Sequence, residues 1–301
     1  MKTITKDQSV YSLSPSQAVV TTISPGEIVR VETFDCFSAT IASEQDLLID
    51  LDFERVNPAT GPLFIDGAEP GDVLEVEILR IDLADQAIMV VAEGEGFLGN
   101  SVKQTETRLF PVFEDHIELF SQKIPLSKMI GVIGTAPAEG DIPTGTPGEH
   151  GGNMDCLLIK EGASLFLPVA HPGALLSLGD LHAAMGDGEV SVSGAEVSGT
   201  VELRVKVLKD SPWPTPMVQT KDTIATIHSA ETMEAAGQGA LHKLIDLMVD
   251  QTPLSFNEAY MLLSAAGTLA VCQVVDPLVT MRMELPRTIW DGLKKTNPRD
   301  I

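Results

Sequence analysis

Basic residues are scarce in this sequence of 301 residues. Lys and Arg number 20 against 43 Asp and Glu, which gives a formal net charge of −23 at pH 7. Nucleic acids and anionic membrane surfaces are bound through basic side chains, so we expect neither as a partner. A cation or a neutral small molecule is the kind of ligand that this charge favours.

Long apolar runs, a leader-like segment and paired cysteines are also missing. No run is long enough to span a bilayer, and residues 1–10 lack the apolar stretch of a signal peptide. Cys36, Cys156 and Cys272 lie far apart, without CxxC spacing and among apolar neighbours. That pattern favours buried free thiols. We therefore expect a cytoplasmic protein.

Alternation of apolar and polar residues predicts strands through most of the chain, and it is clearest over residues 197–208. Pro25-Gly26 and Pro70-Gly71 each precede an alternating segment, because proline and glycine supply the two corner conformations of a turn. Further strands are predicted over residues 47–53, 87–92, 113–120, 128–135, 154–159, 164–168 and 190–193.

Helical spacing of apolar residues begins near residue 231 and continues to residue 251. Ser255 and Glu258 have the spacing of a capping box, which predicts a second helix to about Ala266, ended by Gly267. Two apolar strands are predicted to follow, over residues 268–274 and 278–284.

The order of these elements predicts the fold class, because strands and helices do not alternate regularly. We expect an α+β fold that is mostly β, with a sandwich or barrel-like body and two helices packed against a sheet. No change of composition marks a linker. The chain is therefore expected to form one domain over 1–301, β-rich over 1–229, with a helical insertion and final strands over 230–301.

Acidic side chains crowd around one histidine in residues 177–193. Asp180 and His182 are two apart, so a strand would project both from one face. Gly186-Asp187-Gly188 is typical of a tight turn, which would return Glu189 beside them on a second strand. Carboxylates this close repel, and a divalent metal with mixed N and O ligands is the simplest relief. The alternative is a polar turn with solvated acids and a hydrogen-bonded histidine.

A second glycine-rich segment, His150-Gly151-Gly152-Asn153-Met154-Asp155, also combines histidine with acid. Gly151 and Gly152 would let the backbone approach a ligand or donate amides to an oxyanion, while Asn153 and Asp155 share one face of a strand. The alternative is a connector in which His150 caps a backbone group. Two such turns in one chain favour a single site.

Five segments in combination resemble the acetamidase/formamidase family, in its short bacterial form. The resemblance covers nearly the whole chain and implies hydrolysis of short amides, formamide or acetamide, to carboxylate and ammonia. It also implies a β-rich body, a homodimer or dimer of dimers, and a divalent metal, zinc first and calcium second. Met185 departs from the Gln of the long formamidases, which leaves the substrate open. The segments are residues 33–37 (TFDCF), 57–62 (NPATGP), 67–72 (GAEPGD), 150–155 (HGGNMD) and 179–189 (GDLHAAMGDGE).

The expected mechanism is attack by metal-activated water, since the sequence has no Gly-x-Ser-x-Gly elbow. Glu189 is expected to act as general base and then as acid to the leaving ammonia. The predicted catalytic residues are Glu189, Asn153 and His150, the predicted substrate-binding residues are Gly151, Gly152 and Asp187, and the predicted metal ligands are His182, Asp180, Asp35 and Asp155.

Other functions use the same residues and stay open at this point. They are a metal-dependent hydrolase of cyclic amides or lactams, a metal-assisted decarboxylase or lyase, and a non-catalytic protein that holds calcium structurally. Cys36 or Cys156 could also serve as the nucleophile. A homo-oligomer is expected because the C-terminal helices carry more apolar residues than one sheet needs, among them Met248, Tyr260, Met261 and Leu262.

Overall fold

Strands form where apolar and polar residues alternate, and the computed structural model describes them within residues 1–294. The helices are α1 (Met233–Gln251), α2 (Phe256–Ala266) and α3 (Arg287–Lys294). The strands, numbered in chain order, are β1 (Lys2–Ile4), β2 (Ser9–Val10), β3 (Ser12–Leu13), β4 (Thr21–Ile23), β5 (Ile28–Thr33), β6 (Ala59–Ile65), β7 (Val73–Leu83), β8 (Gln86–Val91), β9 (Glu106–Pro111), β10 (His116–Leu119), β11 (Gln122–Pro125), β12 (Met129–Gly134), β13 (Ile142–Pro143), β14 (Gly151–Asn153), β15 (Ser164–Pro168), β16 (Leu176–His182), β17 (Glu196–Val197), β18 (Gly199–Leu208), β19 (Met217–Gln219), β20 (Thr223–Ala230), β21 (Thr268–Gln273) and β22 (Val279–Pro286).

Two nine-stranded sheets make up the body. The first has the order β1-β5-β18-β7-β15-β19-β20-β22-β21. The second follows β14-β12-β16-β17-β8-β9, with β6 paired to β16, and β2 and β4 paired to β6. Two small ribbons, β10-β11 and β3-β13, lie outside them.

The apolar faces of the two sheets share one core. Leu74 and Val76 of the first sheet belong to the same buried cluster as Ile130 and Leu178 of the second. On β18 the buried positions alternate with more exposed ones, as the sequence pattern requires. The prediction of an α+β, mostly β fold with a sandwich-like body is therefore confirmed.

Side-chain caps set the start of the two longer helices. Thr232 accepts a hydrogen bond from the Ala235 N–H at the start of α1, and Ser255 and Glu258 form the predicted capping box of α2. Helix α1 packs on β20 and β22, so the predicted packing of helices on a sheet is confirmed. Met248, one of the apolar residues on which the expected homo-oligomer rests, lies on the buried face of α1 and is fully buried. Within residues 1–294, no helix has the length and apolar character needed to cross a membrane.

Three strand predictions were wrong, and helix α3 was not predicted. Residues 47–53 form short 3-10 turns rather than a strand. Residues 154–159 and 190–193 are irregular, because Asp155, Glu189 and Val192 have φ values of 43°, 45° and 112°, outside the extended region. The strand that returns beside β16 is β17, a few residues later than expected.

Candidate active site

The end of strand β16 places Asp180 and His182 at the centre of a buried polar cluster. Both side chains are almost completely buried. Gly131 on β12 faces them, and a Cβ there would collide with carboxylate oxygens of Asp155 and Asp180. A Cβ at Gly194 would likewise collide with the imidazole of His182. These two glycines therefore make the space that the polar groups occupy.

Four carboxylates converge on one nitrogen of His182. The Nε2 atom lies 3.2 Å from Glu196 Oε2, 3.4 Å from Asp180 Oδ1, 3.8 Å from Asp155 Oδ1 and 3.9 Å from Glu189 Oε1. Every one of these side chains is buried. We call these five residues the His182 cluster.

The donor atoms of the His182 cluster fit a divalent cation. The ligand atoms of Asp155, His182 and Glu189 lie within 4.8 Å of one another, as do those of Cys36, Asp180 and Glu196. Both oxygens of Asp155 and both nitrogens of His182 are buried and lack a hydrogen-bond partner within residues 1–294. Buried charged groups without partners are costly, and metal coordination would satisfy them.

The His182 cluster combines four carboxyl groups with a single imidazole, so little positive charge is present to stabilise the ionised acids. Burial raises the pKa of Glu189 to about 8 and that of Glu196 to about 7. Burial, together with the charges of Glu189 and Asp180, raises the pKa of Asp155 well above its usual range. Burial opposes a charge on His182, but the facing charges of Glu196 and Asp180 outweigh it and raise the imidazole pKa. Without a cation, the cluster must hold protons.

Asp276 and Asn153 extend the polar centre toward solvent. Asn153 Nδ2 donates to Asp276 Oδ2 at 2.9 Å. Burial and the charges of Asp155 and Asp180 raise the pKa of Asp276. Asp276 and Cys36 line a cavity of about 780 Å³, the entrance cavity, which therefore brings the protein surface into contact with the polar centre.

Four of the predicted site residues meet in the cluster: His182, Asp180, Asp155 and Glu189. Asp35 does not, because its Oδ1 accepts the backbone N–H groups of Phe37 and Ala39 and orders a turn. Asp187 also points elsewhere, into an ion pair with Arg282.

Only part of the glycine-rich segment, residues 150–155, lies at the His182 cluster. Asn153 contacts Asp276, and Asp155 belongs to the cluster. The Gly151 N–H is engaged by the Gly148 carbonyl and is not free for an oxyanion. His150 packs against Gly148 and Gly152, and burial lowers the pKa of its imidazole to about 4. His150 is therefore a buried, neutral side chain outside the cluster.

The sequence did not identify Glu196 or Asp276 as site residues, and it did not show that Cys36 lies close to Asp180 and Glu196. Glu196 joins because β17 pairs with β16 in the register that sets Glu196 opposite His182. That register depends on the length of an irregular loop and has no local sequence signal. Cys36 belongs to one of the segments that carry the family resemblance, residues 33–37, in which its neighbour Asp35 is the predicted ligand.

Comparisons with a family model, with curated sequences and with solved structures all match the same kind of protein. The sequence model of the Acetamidase/Formamidase family matches residues 7–144 and 138–292. Formamidase from Methylophilus methylotrophus is 25% identical, over 65% of this chain and 63% of its own length. This chain spans a little over three fifths of the length of the curated relatives that it matches.

Solved structures that match include two acetamidases that cover almost all of the chain. Acetamidase from Bacillus halodurans is 44% identical and has a TM-score of 0.95, over 97% of this chain and 99% of its own. Acetamidase from Yersinia enterocolitica is 30% identical and has a TM-score of 0.91, over 96% of this chain and 93% of its own.

Proposed function

Because this chain belongs to the acetamidase/formamidase family, we propose that it hydrolyses the C–N bond of short linear amides to carboxylate and ammonia at the His182 cluster. The observation that carries this proposal is the convergence of four buried carboxylates on His182 beside an open cavity. Amide hydrolysis needs an activated water, a stabilised oxyanion and an acid for the departing nitrogen. The acids of the cluster are suited to the first and third of these needs.

The cofactor in this proposal is a divalent cation bound by His182, Asp180 and Asp155. The orphaned donor atoms support it, and the mixture of nitrogen, oxygen and a nearby thiol favours zinc over calcium, which takes oxygen ligands. When bound, such a cation polarises the amide carbonyl and lowers the pKa of water to about 7. Glu196 and Cys36 lie close enough to extend the ligand set.

Glu189 is the proposed acid and base. Burial raises its pKa to about 8, and a bound cation would lower that value toward neutral pH, where the group can take and return a proton. It accepts a proton from water as the water oxygen bonds to the amide carbon. It then gives a proton to the nitrogen as the C–N bond breaks, which releases ammonia and the carboxylic acid. The amide of Asn153, which donates to Asp276, is the proposed contact for the oxyanion.

The test is ammonia release from formamide and acetamide, measured on the protein as purified, after chelation, and after zinc or calcium is added back. We expect turnover that falls on chelation and returns with zinc. Full turnover in protein shown by elemental analysis to lack metal would contradict the metal-dependent mechanism. Metal binding without ammonia release from any amide would favour a structural calcium protein or a lyase.

Three further features complete the proposal. We propose a homodimer or dimer of dimers that associates through the outer face of α2, where Phe256, Tyr260 and Met261 are exposed. The three cysteines are buried and unpaired, which supports a reducing, cytoplasmic location. Since the first sheet combines strands from β1 to β22, we also propose that the chain acts as one domain, of which residues 295–301 lie outside the described part.

A further inference from the structure

The entrance cavity is much larger than the amides considered so far. Its volume of about 780 Å³ lies within the range of about 300–1,000 Å³ that is typical of pockets for drug-sized ligands. Acetamide has only four non-hydrogen atoms and would leave nearly all of this space to water. The cavity therefore has room for a substituent that extends away from the reacting amide.

The wall of the entrance cavity is largely apolar. Cys36 and Asp276 mark the end that touches the polar centre. Side chains that can contact a hydrocarbon chain beyond that end are Phe37, Leu48, Phe53, Val56, Val192 and Val275. Contact with them would remove apolar surface of a substrate from water, which is favourable in proportion to the area buried.

The charge of the entrance cavity has one sign. Glu54, Glu95 and Asp276 line it, and the described residues that line it include no Lys, Arg or His. An anionic substituent would lose hydration and find no cation among the described lining residues, whereas a neutral substituent needs none. The net charge of −23 also repels anionic substrates at long range.

We propose that the preferred substrate is a primary amide whose carbon chain is an uncharged apolar group several carbons longer than that of acetamide. The amide end lies at Cys36 and Asp276, and the chain lies against Phe37, Leu48 and Val275. This inference rests on the proposed amide hydrolysis and names its substrate class. It also assigns the apolar wall as the determinant of chain-length preference. Glu54 and Glu95, the acidic rim, are assigned as the determinant that rejects anions.

The test compares kcat/KM for acetamide, butyramide and hexanamide, with ammonia release as the readout. Each buried methylene is worth about 0.8 kcal/mol, so kcat/KM is expected to rise roughly fourfold per methylene, mainly through KM. Succinamate and its neutral counterpart of similar size, levulinamide, isolate the effect of charge. Levulinamide is expected to be hydrolysed at least about tenfold more efficiently than succinamate.

Three variants separate cavity effects from general damage. Val275→Trp fills the cavity and is expected to lower kcat/KM for hexanamide at least about tenfold, with much less effect on acetamide. Phe53→Ala removes an exposed part of the wall, so folding is not at risk, and is expected to weaken hexanamide selectively. Glu95→Gln is expected to raise the ratio of kcat/KM for succinamate to kcat/KM for acetamide. Val19→Trp, at an exposed valine that does not line the cavity, is the control.

The outcomes distinguish this inference from the proposed function. Turnover of acetamide with kcat/KM flat or falling toward hexanamide would overturn the chain-length inference and leave amide hydrolysis standing. Equal values for succinamate and levulinamide would overturn the assignment of the acidic rim. Failure to release ammonia from any of the five amides would instead overturn the proposed function, and this inference with it.

Discussion

Arg282 holds Asp187 through two parallel contacts, with Nη1 2.7 Å from Oδ1 and Nη2 2.8 Å from Oδ2. Arg282 is buried on β22, and its Nη1 also donates to the Val271 carbonyl. The Gly188 N–H, next in the chain, donates to the Cys272 carbonyl. The loop that carries Glu189 is thus fixed to β21 and β22. Asp187, predicted to bind substrate, instead positions the proposed acid–base residue two positions later.

Breaking this pair should lower turnover more than stability. We expect Asp187→Asn to reduce kcat about ten- to a hundredfold with little change in KM, because a displacement of about 1 Å at Glu189 is enough. Asp187 is 42% exposed, so the loss of unfolding free energy should stay within about 1–2 kcal/mol. Glu202→Gln breaks the ion pair of Glu202 with Arg30 and is the matched control. Equal kcat in both variants would contradict the positioning role.

Replacing the proposed acid–base residue should separate chemistry from metal binding. Glu189→Gln keeps the shape of the side chain but removes its proton transfer, so the rate should fall by roughly two to four orders of magnitude. The melting temperature should hold or rise, because one of the crowded carboxylates is lost. Loss of metal along with activity would make Glu189 a ligand, and near-normal turnover would remove it from the mechanism.

Metal removal should destabilise the protein, because the carboxylates around His182 then face one another unshielded. A cation present at about a hundred times its dissociation constant adds about 2.7 kcal/mol, which should raise the melting temperature by several degrees. Zinc should give a larger shift than calcium. Asp155→Asn should abolish most of this shift, whereas Asp35→Asn should keep it, since Asp35 lies outside the cluster. Equal shifts in both variants would contradict the ligand assignment.

The sequence predicted those parts of the structure that depend on local pattern. Alternation located β12, β15 and β18, and the capping box located α2. Asp180 and His182 were found together because two-residue spacing on a strand is a local property. Glu196 reaches the same site only through the pairing of β17 with β16, and Asp276 through a loop more than ninety residues beyond His182. Such contacts follow from sheet register and packing, which no segment of the sequence encodes by itself.

His150 should make stability depend on pH. Burial lowers its pKa to about 4 in the folded chain, against about 6.5 when unfolded. Between these values the unfolded chain binds a proton that the folded chain does not, so the free energy of unfolding falls as the pH falls from 6.5 to 4, by at most about 3 kcal/mol. Urea unfolding of His150→Asn over that range should show a shallower dependence than the wild type. Parallel curves would contradict this account.

The outer face of α2 should determine the oligomeric state. Tyr260 and Met261 are 51% and 65% exposed, and the exposed ring of Phe256 lies 6.1 Å from that of Tyr260. Exposed apolar side chains grouped in this way are typical of an interface. Light scattering should therefore give at least twice the mass of one chain. Met261→Glu should shift the protein toward monomers by burying an unpaired charge in the interface. Leu98→Glu, at a leucine that is 71% exposed and lies outside α2, should leave the mass unchanged. A wild-type mass of one chain would contradict the assignment.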